Sequence, residues 1–381
     1  MTGCNGTSGS DTPEVPREPG DPLPGLSADE RARFDAGLAL FDRIYTAEEG
    51  LGPFFNENQC SACHTDPVSG GSGEQSAIRA TRFIAPDRCE LLAADEGENL
   101  QTNATDALRA HGITARPSPH GATERALTFV PFLFGLGLAE AVPDETLLAL
   151  ADPGDENDDG ISGRVGFDRA GRVARFGRKA EHATIADFTA GALLLEMGLT
   201  SPVHPVEPGV SGAPLPADAD PASDPEVDAE TLARLADFVR FLAPLPRRLP
   251  EDAALRPNME RGEALFASVG CTGCHVPALE TGPNEVAALD RKPATLYSDF
   301  LLHDMGPGLA GACGVAASPT EYRTEPLTGV GYRRRLLHDG RTRRLIDAIR
   351  AHGGEAMRAK AAFDALGRVE QERILEFLRT L

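Results

Sequence analysis

One five-residue pattern, Cys-x-x-Cys-His, occurs twice in this chain, as Cys60-Ser-Ala-Cys63-His64 and as Cys271-Thr-Gly-Cys274-His275. With 7 cysteines and 9 histidines in 381 residues, chance supplies roughly 0.003 copies, so the pair is not accidental. Two thiols three positions apart, followed directly by an imidazole, fit the covalent attachment of a c-type haem. The thiols add to the two vinyl groups of the porphyrin, and the histidine then lies under the iron as its proximal ligand. Two other chemistries use paired cysteines. A structural zinc site wants four protein ligands, which the two pairs would supply, but zinc gives no reason for a histidine after each pair. A redox dithiol gives none either. The expectation is two haem c groups, held by Cys60, Cys63 and His64 and by Cys271, Cys274 and His275, with His64 and His275 on iron.

Such groups need helices around them. Glu30 to Ile44 precedes the first motif with Phe34, Leu38 and Phe41 at helical spacing, and Met259 to Phe266 precedes the second. Thr231 to Leu242 and Glu370 to Leu381 are strongly periodic, the first through Leu232, Leu235, Phe238, Val239 and Leu242, the second through Ile374, Phe377, Leu378 and Leu381. A helix before the motif and a closing helix after it exclude water from the porphyrin and help set its potential. The expected fold class is therefore mainly α, with two cytochrome c-like domains and long loops. Their expected extents are 28–250 and 251–381, with the proline-rich stretch Ala243 to Pro257 as the seam.

Acidic residues outnumber basic ones 58 to 37, for a formal net charge of −21. A polyanion repels DNA and anionic lipid, which excludes nucleic acid as a partner. The charge suits attraction of a basic redox protein, while its plainer role is a soluble surface. No run of 18 apolar residues occurs, so no membrane-spanning helix is expected.

Bacteria attach haem to Cys-x-x-Cys-His outside the cytoplasmic membrane, so a periplasmic or other extracytoplasmic location is expected. The chain begins Met1-Thr2-Gly3-Cys4 and continues polar and rich in Ser, Gly and Pro to about Ser27. Residues 1–27 read as a disordered tether. Gly3-Cys4 resembles the end of a bacterial lipoprotein signal, which would put a lipid anchor on Cys4; the alternative is a stray thiol. Cys89 and Cys313 then remain, and in an oxidising compartment two leftover thiols most simply pair.

Several further segments carry a family resemblance. They are Phe134-Gly-Leu-Gly-Leu-Ala-Glu-Ala-Val-Pro143, Asp159-Gly-Ile-Ser-Gly-Arg164, Glu196-Met197-Gly198, Leu302-His303-Asp304-Met305-Gly306 and Leu337-His338-Asp339-Gly340-Arg341. With the two haem motifs they make the chain resemble the di-haem oxidoreductases, also labelled thiol oxidoreductases, which are related to bacterial di-haem cytochrome c peroxidases. The resemblance implies that one haem reacts while the other stores and relays an electron. It implies Glu196 as the acid–base group at the reactive haem, against the plainer reading of an exposed helix-end carboxylate. It also implies peroxide or a thiol as substrate and a small redox protein as electron donor or acceptor.

The chain departs from the peroxidases in places. It contains no Trp, whereas a tryptophan helps electrons pass between the haems there; Arg175 or Phe176 occupies that region. Phe188 stands where those enzymes often carry glutamine. The sixth iron ligands stay open, with Met305, His303 and His338 as candidates at the second haem and His111 and His120 at the first. The alternative function is a non-catalytic di-haem electron-transfer cytochrome with both irons six-coordinate. Asp155-Glu-Asn157-Asp-Asp159-Gly160 spaces oxygen ligands two apart before a glycine, which suits calcium. The bidentate Glu of a complete calcium loop is missing, because that place is Gly166. Related di-haem enzymes hold calcium between the haems, so Asp155, Asn157 and Asp159 are candidate ligands, the alternative being a plain acidic turn.

Overall fold

The structure is a computed structural model and describes residues 18–86, 88–92, 99–210 and 213–381. The four expected helices form close to their expected limits. α1 spans Ala28–Phe41. Ser27 starts it with a capping box: its hydroxyl accepts the Glu30 N–H and the Glu30 carboxylate accepts the Ser27 N–H. Phe34, Gly37 and Phe41 form its buried face. The first haem motif follows in α2 (Cys60–Cys63).

Among the further helices of the first half are α3 (Leu136–Ala141), α4 (Ile185–Ala192) and α5 (Ala229–Phe241). Asp228 caps α5 by accepting the Thr231 N–H at 2.8 Å. α6 (Arg256–Ser268), α7 (Leu345–Ala351) and α8 (Arg368–Thr380) belong to the second half.

Two helix crossings repeat the same contact. α1 packs on α5 and α6 packs on α8. A Cβ on Gly37 would lie 2.1 Å from the Arg234 carbonyl oxygen, and a Cβ on Gly262 would lie 2.1 Å from that of Arg373. Only glycine lets the two backbones approach this closely. One turn further on, Phe41 stacks near Phe238 at 4.8 Å and Phe266 near Phe377 at 5.5 Å.

The expectation of a mainly α fold is met in part. Helix makes up 34% and strand 14%. Strand β1 (Ser76–Ile84) pairs antiparallel with β2 (Arg88–Glu90), β3 (Asn99–Leu100) and β4 (Glu124–Phe129). A second antiparallel pair joins β5 (Leu302–Asp304) to β6 (Glu321–Arg323). Cys89 in β2 is disulfide-bonded to Cys313 across 224 residues, with Cα atoms 5.8 Å apart. The expected pairing is therefore present and ties the first-half sheet to a second-half loop. Closing so long a loop restricts the unfolded chain by about 5 kcal/mol in the chain-entropy account.

Residues 18–27 were expected in the tether, but the structure packs them on the body. Leu23 is buried, its N–H donates to the Phe241 carbonyl at 2.7 Å, and Ala243 N–H donates to Asp21. Residues 1–17, with Cys4, lie outside the described residues. The larger apolar cluster also runs past the expected seam: Leu279, Leu289, Leu296, Phe300 and Leu301 join residues of α1, α3 and α5. A second cluster gathers Phe266, Tyr297, Ile374 and Phe377.

Candidate haem sites

α2 sets Cys60 and Cys63 on one helical turn, with His64 closing it. The His64 Nδ1 faces the Gly71 carbonyl at 2.9 Å, and the His275 Nδ1 faces the Tyr297 carbonyl at 3.1 Å. A carbonyl only accepts, so these contacts favour the proton on Nδ1 and leave Nε2 as the ligating nitrogen, with the Pro131 carbonyl also beside the His64 ring. This is the orientation that fixes a metal-ligating histidine. Burial pushes both imidazoles down to about 4, so they are neutral and free to ligate. An aromatic ring backs each one, Phe41 at 5.9 Å from His64 and Phe266 at 6.2 Å from His275. Among the described residues the four motif thiols do not converge on one point, which removes the joint zinc reading.

Beside Cys60, Cys63 and His64 opens a cavity of about 520 Å³, within the ordinary range for bound cofactors. Phe132, Phe176, Phe188, Leu193 and Val239 give it apolar walls. Arg178, Lys179 and Arg323 give it a cationic end. Arg178 bonds Glu325 and the Phe129 carbonyl, but its buried Nε has no partner. Burial pushes Lys179 down to about 7. An apolar disc with two carboxylates at one edge fits such a space, so the residues present fit a haem.

Glu196 faces the same cavity. It sits in a π-helical turn, Leu193–Met197, that extends α4 and ends at Gly198 with φ 73°. Such turns appear often at functional sites. Its two carboxylate oxygens are held separately: Asn56 Nδ2 donates to one at 2.6 Å and Asn99 Nδ2 to the other at 2.6 Å. The Asn56 carbonyl oxygen in turn accepts the Thr102 N–H at 3.0 Å, which fixes its amide. Burial raises the Glu196 pKa above the ordinary glutamate value, and the two amides only partly offset this. The neighbouring Met197 Sδ lies 3.8 Å from Cys60 Sγ. Glu196 is thus no exposed helix-end carboxylate.

At the second motif, Cys271–Gly273 form one 3-10 turn. Cys274 Sγ lies 3.7 Å from His303 Nδ1. His303 is buried, with Nδ1 also 2.7 Å from Glu355 and Nε2 3.0 Å from Asp299. Burial acts to lower its pKa, but Asp299, Cys274 and Glu355 outweigh it and push the value up to about 12. Both of its nitrogens are engaged by carboxylates, Nδ1 by Glu355 and Nε2 by Asp299.

His338 lines the first cavity, stacked on Tyr322 with ring centroids 4.2 Å apart. His111 and His120 are exposed, and His111 pairs with Asp218 at 2.7 Å, so neither faces the first cavity. Of the three histidines that the sequence left unassigned, His182, His204 and His352, two lie near a haem motif. His182 lines the first cavity. His352 caps α7, donates Nδ1–H to Ala348 at 2.7 Å, keeps Nε2 free, and is close enough to His275 to disfavour its protonated form. α7 packs Leu345, Ile346 and Ile349 against the cluster that holds Cys271.

Arg175 is buried and donates to the Ala139 and Val142 carbonyls and to Asp144. In the acidic loop each side chain accepts a backbone N–H of its own loop: Asp155 from Gly160, Asn157 from Asp159, and Asp159 from Ile161.

No curated protein matches the chain. Among solved structures it is similar to the hydrazine synthase of Kuenenia stuttgartiensis, with 13% identity, full coverage of both chains and a TM-score of 0.41. It is also similar to a MauG-like protein associated with microbial copper homeostasis, with 18% identity over 63% of this chain and 89% of that one, and a TM-score of 0.33. Likenesses at these scores carry no inference about activity. The family described as "Di-haem oxidoreductase, putative peroxidase" matches residues 124–381, well over half the chain and including the second haem motif. This chain belongs to the di-haem oxidoreductase family.

Proposed function

We propose that this chain is a di-haem c-type cytochrome of two cytochrome c-like domains that reduces peroxide at the first haem and relays electrons through the second. The observation that carries the reading is the half-buried Glu196 carboxylate, held by Asn56 and Asn99 in the cavity that also holds Cys60, Cys63 and His64. Bound there, haem would supply redox chemistry at an iron ligated by His64.

The chain's own residues handle the proton. Splitting an O–O bond leaves a poor leaving group unless the departing oxygen is protonated. Glu196 takes a proton from one peroxide oxygen and delivers it to the other, a role worth roughly 10²–10⁴-fold. Its environment suits the task, because burial raises its basicity while the two amides fix both oxygens. Phe176, Phe188 and Leu193 keep the cavity apolar, and Arg178, whose buried Nε has no protein partner, would face the haem carboxylates. At the second haem, His275 would be the proximal ligand, and His352, with Nδ1 held by Ala348, would offer Nε2 as the sixth. A small redox protein supplies the electrons. The location is extracytoplasmic, with Cys4 as a lipid anchor, and the loop at Asp155, Asn157 and Asp159 takes calcium.

The test combines mass and spectra. The intact chain should exceed its apo mass by two haem masses after acid-acetone extraction. The resting protein should show one high-spin and one low-spin haem, and peroxide should oxidise the reduced protein. Two low-spin haems inert to peroxide would make it an electron carrier instead.

A further inference from the structure

We propose that Tyr322 is the electron conduit between the two haem sites, its ring bridging His303 beside Cys274 to His338 in the wall of the first cavity. The inference rests on the reading above, in which an electron passes from the second haem to the first. The chain has four tyrosines and no tryptophan. Of the tyrosines, only Tyr322 lines the first cavity.

The contacts form a short series. Cys274, whose sulfur carries the second haem, lies 3.7 Å from the His303 ring. His303 in β5 is the direct antiparallel partner of Tyr322 in β6. Residues directly opposite in such a pair share a face of the sheet with Cβ atoms about 5 Å apart. Tyr322 then stacks on His338 with ring centroids 4.2 Å apart and planes 21° from parallel. Both rings line the cavity that contains His64. The series starts at a haem-bearing sulfur and ends in the wall of the other haem's cavity, with no gap wider than one strand pair.

The ring serves as a bridge and not as a station. No carboxylate accepts its hydroxyl among the described residues, so no fixed protein base stands ready to take a proton from it. Lys179 Nζ sits 3.5 Å from the ring centroid, and when protonated it opposes a positive hole there. One electron leaves the second haem, which is oxidised, and arrives at the first, which is reduced. No bond forms or breaks and no proton moves.

The test follows electron equilibration between the haems after flash reduction of the full-length, two-haem protein by a photoexcited ruthenium complex, without peroxide. Tyr322→Phe keeps the ring and should equilibrate within about twofold of wild type, whereas Tyr322→Leu should slow by roughly tenfold, about 1.4 kcal/mol in barrier. Haem content, spectra and potentials should match wild type in both variants. Equal rates in Tyr322→Leu and wild type overturn the proposal. Equal slowing in both variants also overturns it, in favour of an oxidised phenol. A wild type with two haems that never exchange electrons overturns the relay reading itself.

Discussion

Gly262 lies so close to Arg373 that a Cβ on the glycine would sit 2.1 Å from the arginine's carbonyl oxygen. This contact sets how closely α6 and α8 cross, and the crossing carries Phe266, which backs His275 at 6.2 Å. Gly262→Val should force the helices apart at a cost of about 1–3 kcal/mol or more. Because Phe266 moves with α6, the second haem should change its spectrum while the first does not. Thermal unfolding with separate absorbance traces for the two haems checks this. A variant that unfolds like wild type would mean the crossing adjusts without strain.

Glu325 is the shared partner of three arginines at the rear of the first cavity: Arg178 at 3.0 Å, Arg323 at 2.7 Å and Arg333 at 2.6 Å. Burial acts to raise its pKa, but the three guanidiniums outweigh that and hold the carboxyl well below the usual carboxylate range. A folded-state pKa below the unfolded one gives stability that is present above the unfolded value, near 4.3, and lost as pH falls below it. Glu325→Gln strands buried cations and should lose about 3–5 kcal/mol at neutral pH. The gap between wild type and variant should narrow as pH falls below about 4. Unfolding midpoints at neutral and acid pH measure it, and a constant gap would contradict the pairing.

Much of this was legible in the sequence, for physical reasons. α1, α5, α6 and α8 were visible because a helix beside a buried disc must show one apolar stripe. The haem anchors were visible because thioether and iron bonds demand fixed residues at fixed spacing. The β1–β4 sheet was not, because β1 mixes exposed, half-buried and buried positions without clean alternation. His303 looked like a ligand by motif. Only the fold brings Asp299 and Glu355 to its two nitrogens. His352 was missed because its use depends on which way α7 points, which no local pattern states.

His352 should act at the second iron through its free Nε2. Its Nδ1 is fixed by the Ala348 carbonyl at 2.7 Å, so the ring needs no turning to ligate. His352→Gly should convert the second haem from low-spin to high-spin, and added imidazole should restore the low-spin spectrum. His338→Gly, on the first cavity wall, should leave the second haem low-spin. If His352→Gly keeps the wild-type EPR spectrum, another residue holds that position, and Met305 becomes the next to substitute.

The Glu196 carboxylate yields the most direct test of catalysis. Glu196→Gln keeps the size and part of the hydrogen bonding with Asn56 and Asn99 but cannot carry a proton. The variant should attach both haems and lose peroxide reactivity by roughly 10²–10⁴-fold. The pH dependence follows from the sign of the shift. Glu196 acts as a base only when ionised, and burial raises its pKa above the ordinary glutamate value. The rate should therefore fall on the acid side at a pH higher than an ordinary glutamate gives. Asn56 donates to the ionised form at 2.6 Å and so favours it. Asn56→Ala removes that donor, so the acid limb should move to still higher pH while the rate at its plateau changes less. Stopped-flow oxidation of the reduced protein across pH reads both effects. If Glu196→Gln reacts at the wild-type rate, the carboxylate only braces the π-helical turn between Asn56 and Asn99. If Asn56→Ala instead moves the limb to lower pH, the titrating group is not Glu196, and His182 or His338 on the same cavity wall would have to carry the proton.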